Sequence, residues 1–307
     1  MKAEVTGYWT FFCNPVIWEI DLFLATEKQK DTFQVNEWYR DYVKPGQLGI
    51  IRVGIDNRNK KQLRDRQKLS PGIYAIVEII GMPTMSKDVS NYYVKEEDQN
   101  QEKLRVEIRY LKNLLNNPIL LKAIKQNPII NGDQYLIDGF QRSTMPLNKT
   151  AFEEIINILG TDSQIYSNIE PESIDTIDEI AKLELKYQDA APQVKEVISK
   201  RIERGKISSV IKKLNDYKCK VCEALGQNAY SFKKSNGEHY VETHHIIPVA
   251  NLKRGSLGIS NLITVCANHH REFHYGDIQI VDNTNEQLAI SINGQSVLIK
   301  KKNFTNV

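Results

Sequence analysis

The sequence predicts an α+β protein in two domains joined by a helical linker, and three observations carry that prediction. Segments rich in β-branched residues and bounded by Pro-Gly pairs fill the first 160 residues; amphipathic helical patterns follow over 161–204; and all of the histidines and all but one of the cysteines fall after residue 205. A chain of 307 residues is long enough for two cores of ordinary size, which places the expected boundaries at 1–160, 161–204 and 205–307.

Each element has its own signal. LGIIRVGI (48–55), GIYAIVEIIG (72–81) and KLRVEIRYL (103–111) read as strands, two of them opened by Pro45-Gly46 and Pro71-Gly72. Before them FQVNEWYRDYV (33–43) is expected to be a short helix with Phe33, Trp38 and Tyr42 on its inner face. TAFEEIINILG (150–160) reads as a closing helix, with Thr150 and Glu153 in a capping-box pattern and Gly160 at the C′ position. Two more helices are expected in DTIDEIAKLELKY (175–187) and PQVKEVISKRIERG (192–205), the second with Pro192 in its first turn and Gly205 at its stop. Ile207, Val210, Ile211 and Leu214 then recur at helical spacing. The stretch containing Lys200, Arg201, Arg204, Lys206, Lys212, Lys213, Lys218 and Lys220 is the most basic in the chain, and reads either as a solvated helical face or as a phosphate-contacting one.

Composition excludes some classes of function. A hydrophobic fraction of 41% with 26% charged residues is that of a globular chain, and no apolar run approaches the ~20 residues needed to span a bilayer, so no membrane partner is expected. The first twenty residues carry acidic side chains too early, and too short an apolar core, for a secretory signal; a reducing cytoplasm is the expected compartment, with cysteines as thiols or metal ligands. The net charge of +3 permits nucleic-acid binding without demanding it.

All six histidines and three of the four cysteines lie between Cys219 and His274, as metal binding would require. Cys219-x-x-Cys222 and Cys266-x-x-His269 supply two knuckles of soft ligands, a closed tetrahedral shell suited to structural Zn²⁺. His270 and His274, four apart in HHREFHYG, put both rings on one helix face, where His244 from a facing strand would complete an open site for a second ion. In VETHHIIP, His245 points to the opposite side of that strand and is left metal-free to accept a proton. His239 reads as a surface histidine and Cys13 as a buried small hydrophobe.

The arrangement CxxC…HHIIP…NLITVC…NHHxxxH resembles the HNH endonucleases of the ββα-metal fold over roughly residues 205–280. The resemblance implies that His245 is the general base, that Asn261 braces the loop and orients it, and that His270 is the final histidine of the motif. It also makes His244 and His274 the other ligands of a catalytic divalent ion such as Mg²⁺ or Mn²⁺. The 3′-oxygen would leave and a 5′-phosphate would remain. His269 departs from the more common fourth zinc cysteine while remaining a valid ligand.

Residues 5–160 resemble the EVE domain, a PUA-like β-barrel related to readers of methylated bases. The matching residues are Asn14, Pro15 and Trp18, then Trp38, Lys44-Pro45-Gly46 and Arg52-Val53-Gly54, with the loop GFQRSTMPL (139–147). The resemblance implies extrusion of a modified cytosine from double-stranded DNA into a pocket, where aromatic stacking offsets the cost of unstacking. Trp18 and Trp38 are the stacking candidates, against the alternative that they are core anchors; Asn14 is a candidate contact to the base edge, and Arg52, Arg58 and Arg142 to phosphates or the vacated space.

An EVE domain fused to an HNH domain resembles the modification-dependent restriction endonucleases of prokaryotes, which act on 5-methylcytosine or 5-hydroxymethylcytosine in DNA. Cutting both strands takes two sites or two visits, so a homodimer is expected on geometric grounds. A sequence-specific HNH endonuclease and a non-enzymatic reader of modified nucleic acid are the competing interpretations.

Overall fold

The computed structural model describes residues 4–302 except 27, 89, 139–142, 161–164, 170–173 and 250–253. By contacts it divides into two compact units, Met1–Glu170 with Asp189–Val194, and Pro171–Gln188 with Lys195–Val307.

The first unit is one curled sheet. Its strands are β1 (Tyr8–Cys13), β2 (Lys30–Gln34), β3 (Leu48–Val53), β4 (Gly72–Ile79), β5 (Thr84–Ser86), β6 (Lys103–Asn113), β7 (Ile119–Leu120) and β8 (Thr144–Pro146). Their order is β2-β6-β4-β3-β1-β8, with β5 on β6 and β7 on β4; β1 and β3 are parallel and the other pairs antiparallel. The sheet curls far enough for its outer strands to meet, because the Thr144 hydroxyl on β8 donates to the Gln34 carbonyl on β2 at 2.7 Å. Where β1 and β3 lie side by side, a Cβ on Gly49 would come within 2.7 Å of the Trp9 carbonyl oxygen, so this position needs glycine. Short helices α1 (Ile20–Leu24), α2 (Lys60–Leu63), α3 (Glu96–Gln99), α4 (Leu121–Gln126) and α5 (Gln134–Asp138) connect the strands, and α6 (Lys149–Leu159) closes the unit.

Two local expectations need correction. Residues 33–43 are not a helix: Lys30–Gln34 is strand β2, followed by a single 3-10 turn, Glu37–Tyr39, capped by the Asn36 side chain. Phe33, Val35, Tyr39 and Val43 are buried, while Trp38 and Tyr42 are exposed. Helix α6 begins at Lys149 behind Asn148, so Thr150 lies inside the first turn and makes no capping box; Gly160 does end it, at φ 66°.

In the second unit, helices α7 (Ile177–Tyr187), α8 (Pro192–Arg204, whose residues from Lys195 onward belong here) and α9 (Lys206–Leu214) precede the metal-ligand segments. Thr176 and Glu179 form a true capping box on α7. After α10 (Lys220–Ala224) come antiparallel strands β9 (Glu242–His245) and β10 (Leu262–Val265) and helix α11 (Ala267–Tyr275), the ββα core. An antiparallel meander, β11 (Ile278–Asn283), β12 (Gln287–Ile292) and β13 (Gln295–Lys300), follows. Asn293 and Gly294, both at positive φ (49° and 79°), make its two-residue hairpin turn, the pairing that such a loop favours. Leu288, Ile290, Ile292, Val297 and Ile299 pack with Val221, Ile246, Ile263 and Val265 in one core.

Candidate active site and reader cavity

Two donor groups form in the second unit, and they are separate. Cys219, Cys222, Cys266 and His269 make one; His244, His270 and His274 make the other; within each, the ligand atoms lie within 4.8 Å of one another. Cys219 and Cys222 are brought together by the first turn of α10, while Cys266 and His269 span the start of α11. The three sulfurs surround His269 Nδ1 at 3.3, 3.4 and 3.3 Å. Tetrahedral zinc with bonds of ~2.3 Å to sulfur and ~2.05 Å to nitrogen puts those atoms about 3.5 Å apart, so the donors fit such an ion. Burial pushes the Cys219 and Cys222 thiols up, a cost that a bound cation would relieve by taking them as thiolates.

The histidine group has different surroundings. The His244 ring lies 4.9 Å from that of His270 and 4.8 Å from that of His274, and the latter two are 5.0 Å apart, centre to centre. Burial, together with His270 and His274, holds the His244 pKa down to about 3, so its imidazole is neutral and able to coordinate. His244 Nδ1 and His270 Nε2 are buried without a hydrogen-bond partner among the described residues, which suits nitrogens that face an ion. The other His270 nitrogen, Nδ1, is held by the Glu242 carboxylate, in the way that outer carboxylates fix the tautomer of ligating histidines. Glu242 lies two residues before His244 and so on the same strand face, a period-two signal present in VETHH.

His245 faces the other side of β9. Its Nδ1 is 2.7 Å from Glu203 Oε1 on α8, and its Nε2 is buried without a partner among the described residues. Asn261 is buried between the strands: its side-chain oxygen accepts from the Ile247 N–H (2.8 Å), and its Nδ2 donates to the carbonyls of Ile247 (2.9 Å) and Ser256 (2.7 Å). That loop is held further by Glu184 on α7, which accepts from the N–H groups of Gly255 and Leu257, and by Lys301, which donates to the Ser260 carbonyl. His239 lies outside both groups, its Nδ1 donating to the Ser231 carbonyl at 2.9 Å. Nothing in the sequence spacing marks Glu184, Glu203 or Lys301, whose bonds to Gly255 and Leu257, to His245 and to Ser260 span 41 to 73 residues. In the basic stretch, Lys200, Lys206, Lys218 and Lys220 are paired with carboxylates on the same unit.

The first unit contains a cavity of about 1020 Å³, of the size and mixed character of small-ligand sites, with Phe12, Asn14, Trp18, Gln34, Arg52 and Arg105 among its lining residues. Trp18 is both core and wall: it packs on Phe23, Phe33 and Tyr92 and donates to Ser90 Oγ at 3.0 Å. Asn14 stands at the rim with its side-chain oxygen accepting from the Val16 N–H. The structure separates the other candidates. Trp38 is 65% exposed and is not a lining residue. Arg52 lines the cavity, but its guanidinium donates to the Leu136 and Val53 carbonyls at 2.7 and 3.3 Å, which engages it with the backbone. Arg58 is fully buried among Asp56, Asp21 and Glu19, and so cannot serve as a phosphate contact. Arg142 lies outside the described residues. Cys13 is buried, and burial pushes its thiol up, as for a small hydrophobe.

A curled sheet of this topology followed by a ββα unit with two separate donor sets defines the class: a curled-sheet domain joined in sequence to a ββα-metal unit. The family model for the EVE domain matches residues 7–158 and that for HNH endonuclease residues 219–276. The chain belongs to the proteins that join an EVE domain to an HNH endonuclease domain. Over 55 residues it is 40% identical to the type IV methyl-directed restriction enzyme EcoKMcrA of Escherichia coli (strain K12), a match covering 18% of this chain and 19% of that protein. It is also 32% identical over 78 residues to Anaredoxin of Nostoc sp., 25% of this chain and 84% of that one. Among solved structures, human THYN1 protein in complex with 5-methylcytosine containing DNA is similar over 53% of this chain and 99% of that chain, with 14% identity and a TM-score of 0.32. No helix among the described residues is long and apolar enough to cross a membrane.

Proposed function

We propose that this protein is a modification-dependent DNA endonuclease: the EVE unit takes 5-methylcytosine or 5-hydroxymethylcytosine, flipped from a duplex, into its cavity, and the HNH unit hydrolyses a nearby phosphodiester. The observation that carries the reading is the division of the two neighbouring histidines, His244 joining His270 and His274 while His245, on the opposite strand face, keeps a buried Nε2 with no hydrogen-bond partner among the described residues. The methyl-directed activity named for the Escherichia coli relative agrees with it, although the shared segment is short.

In this reading His245 Nε2 accepts a proton from water as its oxygen attacks phosphorus, and the P–O3′ bond breaks to leave a 5′-phosphate. A divalent ion such as Mg²⁺ or Mn²⁺, held by His244, His270 and His274, would offset the charge that builds on the nonbridging and leaving oxygens. Asn261 keeps the loop after β9 in place through its pair of bonds to Ile247. The Cys219, Cys222, Cys266 and His269 group would hold Zn²⁺ for shape. In the reader, Trp18 and Asn14 are the wall and rim residues we assign to the base; we place the domain limits at 1–160 and 205–307, and a homodimer on the duplex.

The test is a nicking assay with Mg²⁺ or Mn²⁺ on three duplexes that differ only in carrying cytosine, 5-methylcytosine or 5-hydroxymethylcytosine. Faster cutting of modified DNA is expected, with His245→Ala abolishing it while binding and zinc content stay near those of wild type. Equal cutting of all three would leave a sequence-specific nuclease, and binding without any cutting would leave a reader.

A further inference from the structure

The ring of His245 is gripped from one side only. A single oxygen of Glu203, Oε1, lies 2.7 Å from the ring Nδ1 and 3.2 Å from the backbone nitrogen of the same residue. The His245 side chain is 4% exposed and that of Glu203 21%, so the contact is shielded from water that would otherwise compete for it. A carboxylate only accepts hydrogen bonds, and a neutral imidazole carries one N–H. The geometry therefore assigns the proton to Nδ1 and leaves the lone pair on Nε2, the buried atom without a partner among the described residues.

Resting on the proposed nuclease reading, we infer that Glu203 is the positioning residue of the catalytic base, fixing both the tautomer and the direction of the His245 ring. Glu203 sits on α8, upstream of the residues 219–276 that match the HNH family, so the motif does not supply it. Anchoring the main chain and the ring through one oxygen sets two degrees of freedom together: the position of β9 at His245 and the rotation of the imidazole about its Cβ–Cγ bond. Without that acceptor, the proton can occupy either nitrogen and the ring can turn Nε2 away from the phosphorus. The consequence is that α8 belongs to the active site and is more than a spacer.

The experiment uses the full chain and the duplex that wild type cuts fastest. Glu203→Ala is expected to slow single-turnover cleavage about 100-fold, with DNA affinity, zinc content and melting temperature close to wild type. Glu203→Gln keeps an acceptor oxygen and is expected to recover at least about tenfold over the alanine variant. Imidazole ¹⁵N NMR supplies a second readout, in which His245 Nε2 shows the unprotonated signature in wild type and loses it in Glu203→Ala. Wild-type rates in Glu203→Ala, or a loss that tracks zinc release and a lowered melting temperature without recovery by glutamine, would overturn the assignment. If wild type cuts no duplex at all, the nuclease reading fails by itself, and the NMR comparison still decides whether Glu203 sets the tautomer.

Discussion

Adjacent residues in a strand point to opposite faces, and at His244 and His245 this alternation puts one ring in the group with His270 and His274 and the other against Glu203. The alternation was legible in the sequence, because it follows from strand geometry alone. The partners that make each ring useful were unequally legible: Glu242 shares the face of His244 two residues away, whereas Glu203 reaches His245 across 42 positions and has no periodic signal. A different buried group gives a measurable prediction at this scale. Asp31 on β2 has its pKa raised from 3.8 to about 7, mainly by burial and further by Asp88, and its Oδ2 has no partner among the described residues. A carboxyl whose folded pKa exceeds its unfolded one favours folding fully only below the unfolded value. Its contribution is therefore lost as pH climbs from about 4 to about 7, by roughly 4 kcal/mol at most. Denaturant unfolding at several pH values should show wild type losing stability relative to Asp31→Asn across that window. A difference between the two proteins that is flat from pH 4 to 7 would show that Asp31 is solvated.

Among the elements, those with a strong local signature read correctly from sequence and those governed by tertiary packing did not. Helices α7 and α8 and the three long strands β3, β4 and β6 follow from periodicity and punctuation. The segment 33–43 departs from the helical expectation although its aromatic residues match a helical face, because Phe33 and Val35 are needed in the core beside β6, which draws Lys30–Gln34 into the sheet and leaves Trp38 outside. The C-terminal meander carries an Asn293-Gly294 turn between alternating residues, a hairpin signal that composition-led reading passes over. This meander sets up the element-scale prediction. Cys219 is completely buried in the same core as Val221, Val265, Leu288 and Ile299, so the knuckle and the sheet are one packing unit. Structural zinc in small domains contributes about 10–16 kcal/mol, comparable with the whole stability of a domain at about 5–15 kcal/mol. Cys222→Ser should therefore release the ion and unfold the second unit while leaving the melting of the EVE unit in place, as followed by metal analysis and calorimetry. Retention of one zinc per chain with an unchanged melting profile would mean that the sulfur cluster is not a metal site.

For the whole molecule, the proposed function asks how a nuclease with a net charge of only +3 would restrict itself to modified DNA. Electrostatic contacts to phosphates do not distinguish cytosine from 5-methylcytosine, so in that reading the preference would come from the cavity of the first unit. One methyl group in an apolar pocket is worth about 1–3 kcal/mol, which sets the discrimination per reading event at roughly 10- to 200-fold. In the proposed dimer, two copies that each read the modified base on one strand and each cut once would multiply their preferences. The rate of double-strand breakage at limiting protein should then rise from unmodified to hemimodified duplex by one such factor, and from unmodified to fully modified duplex by about its square. Asn14→Ala, at the cavity rim, should shrink both ratios while leaving the slow cutting of plain DNA unchanged, since that residue is remote in sequence and chemistry from the HNH residues. Break rates measured on the three duplexes over a range of protein concentrations separate the alternatives. Equal rates on hemimodified and fully modified DNA would show that one reader licenses both cuts, which removes the reason for a dimer and leaves the modification dependence standing.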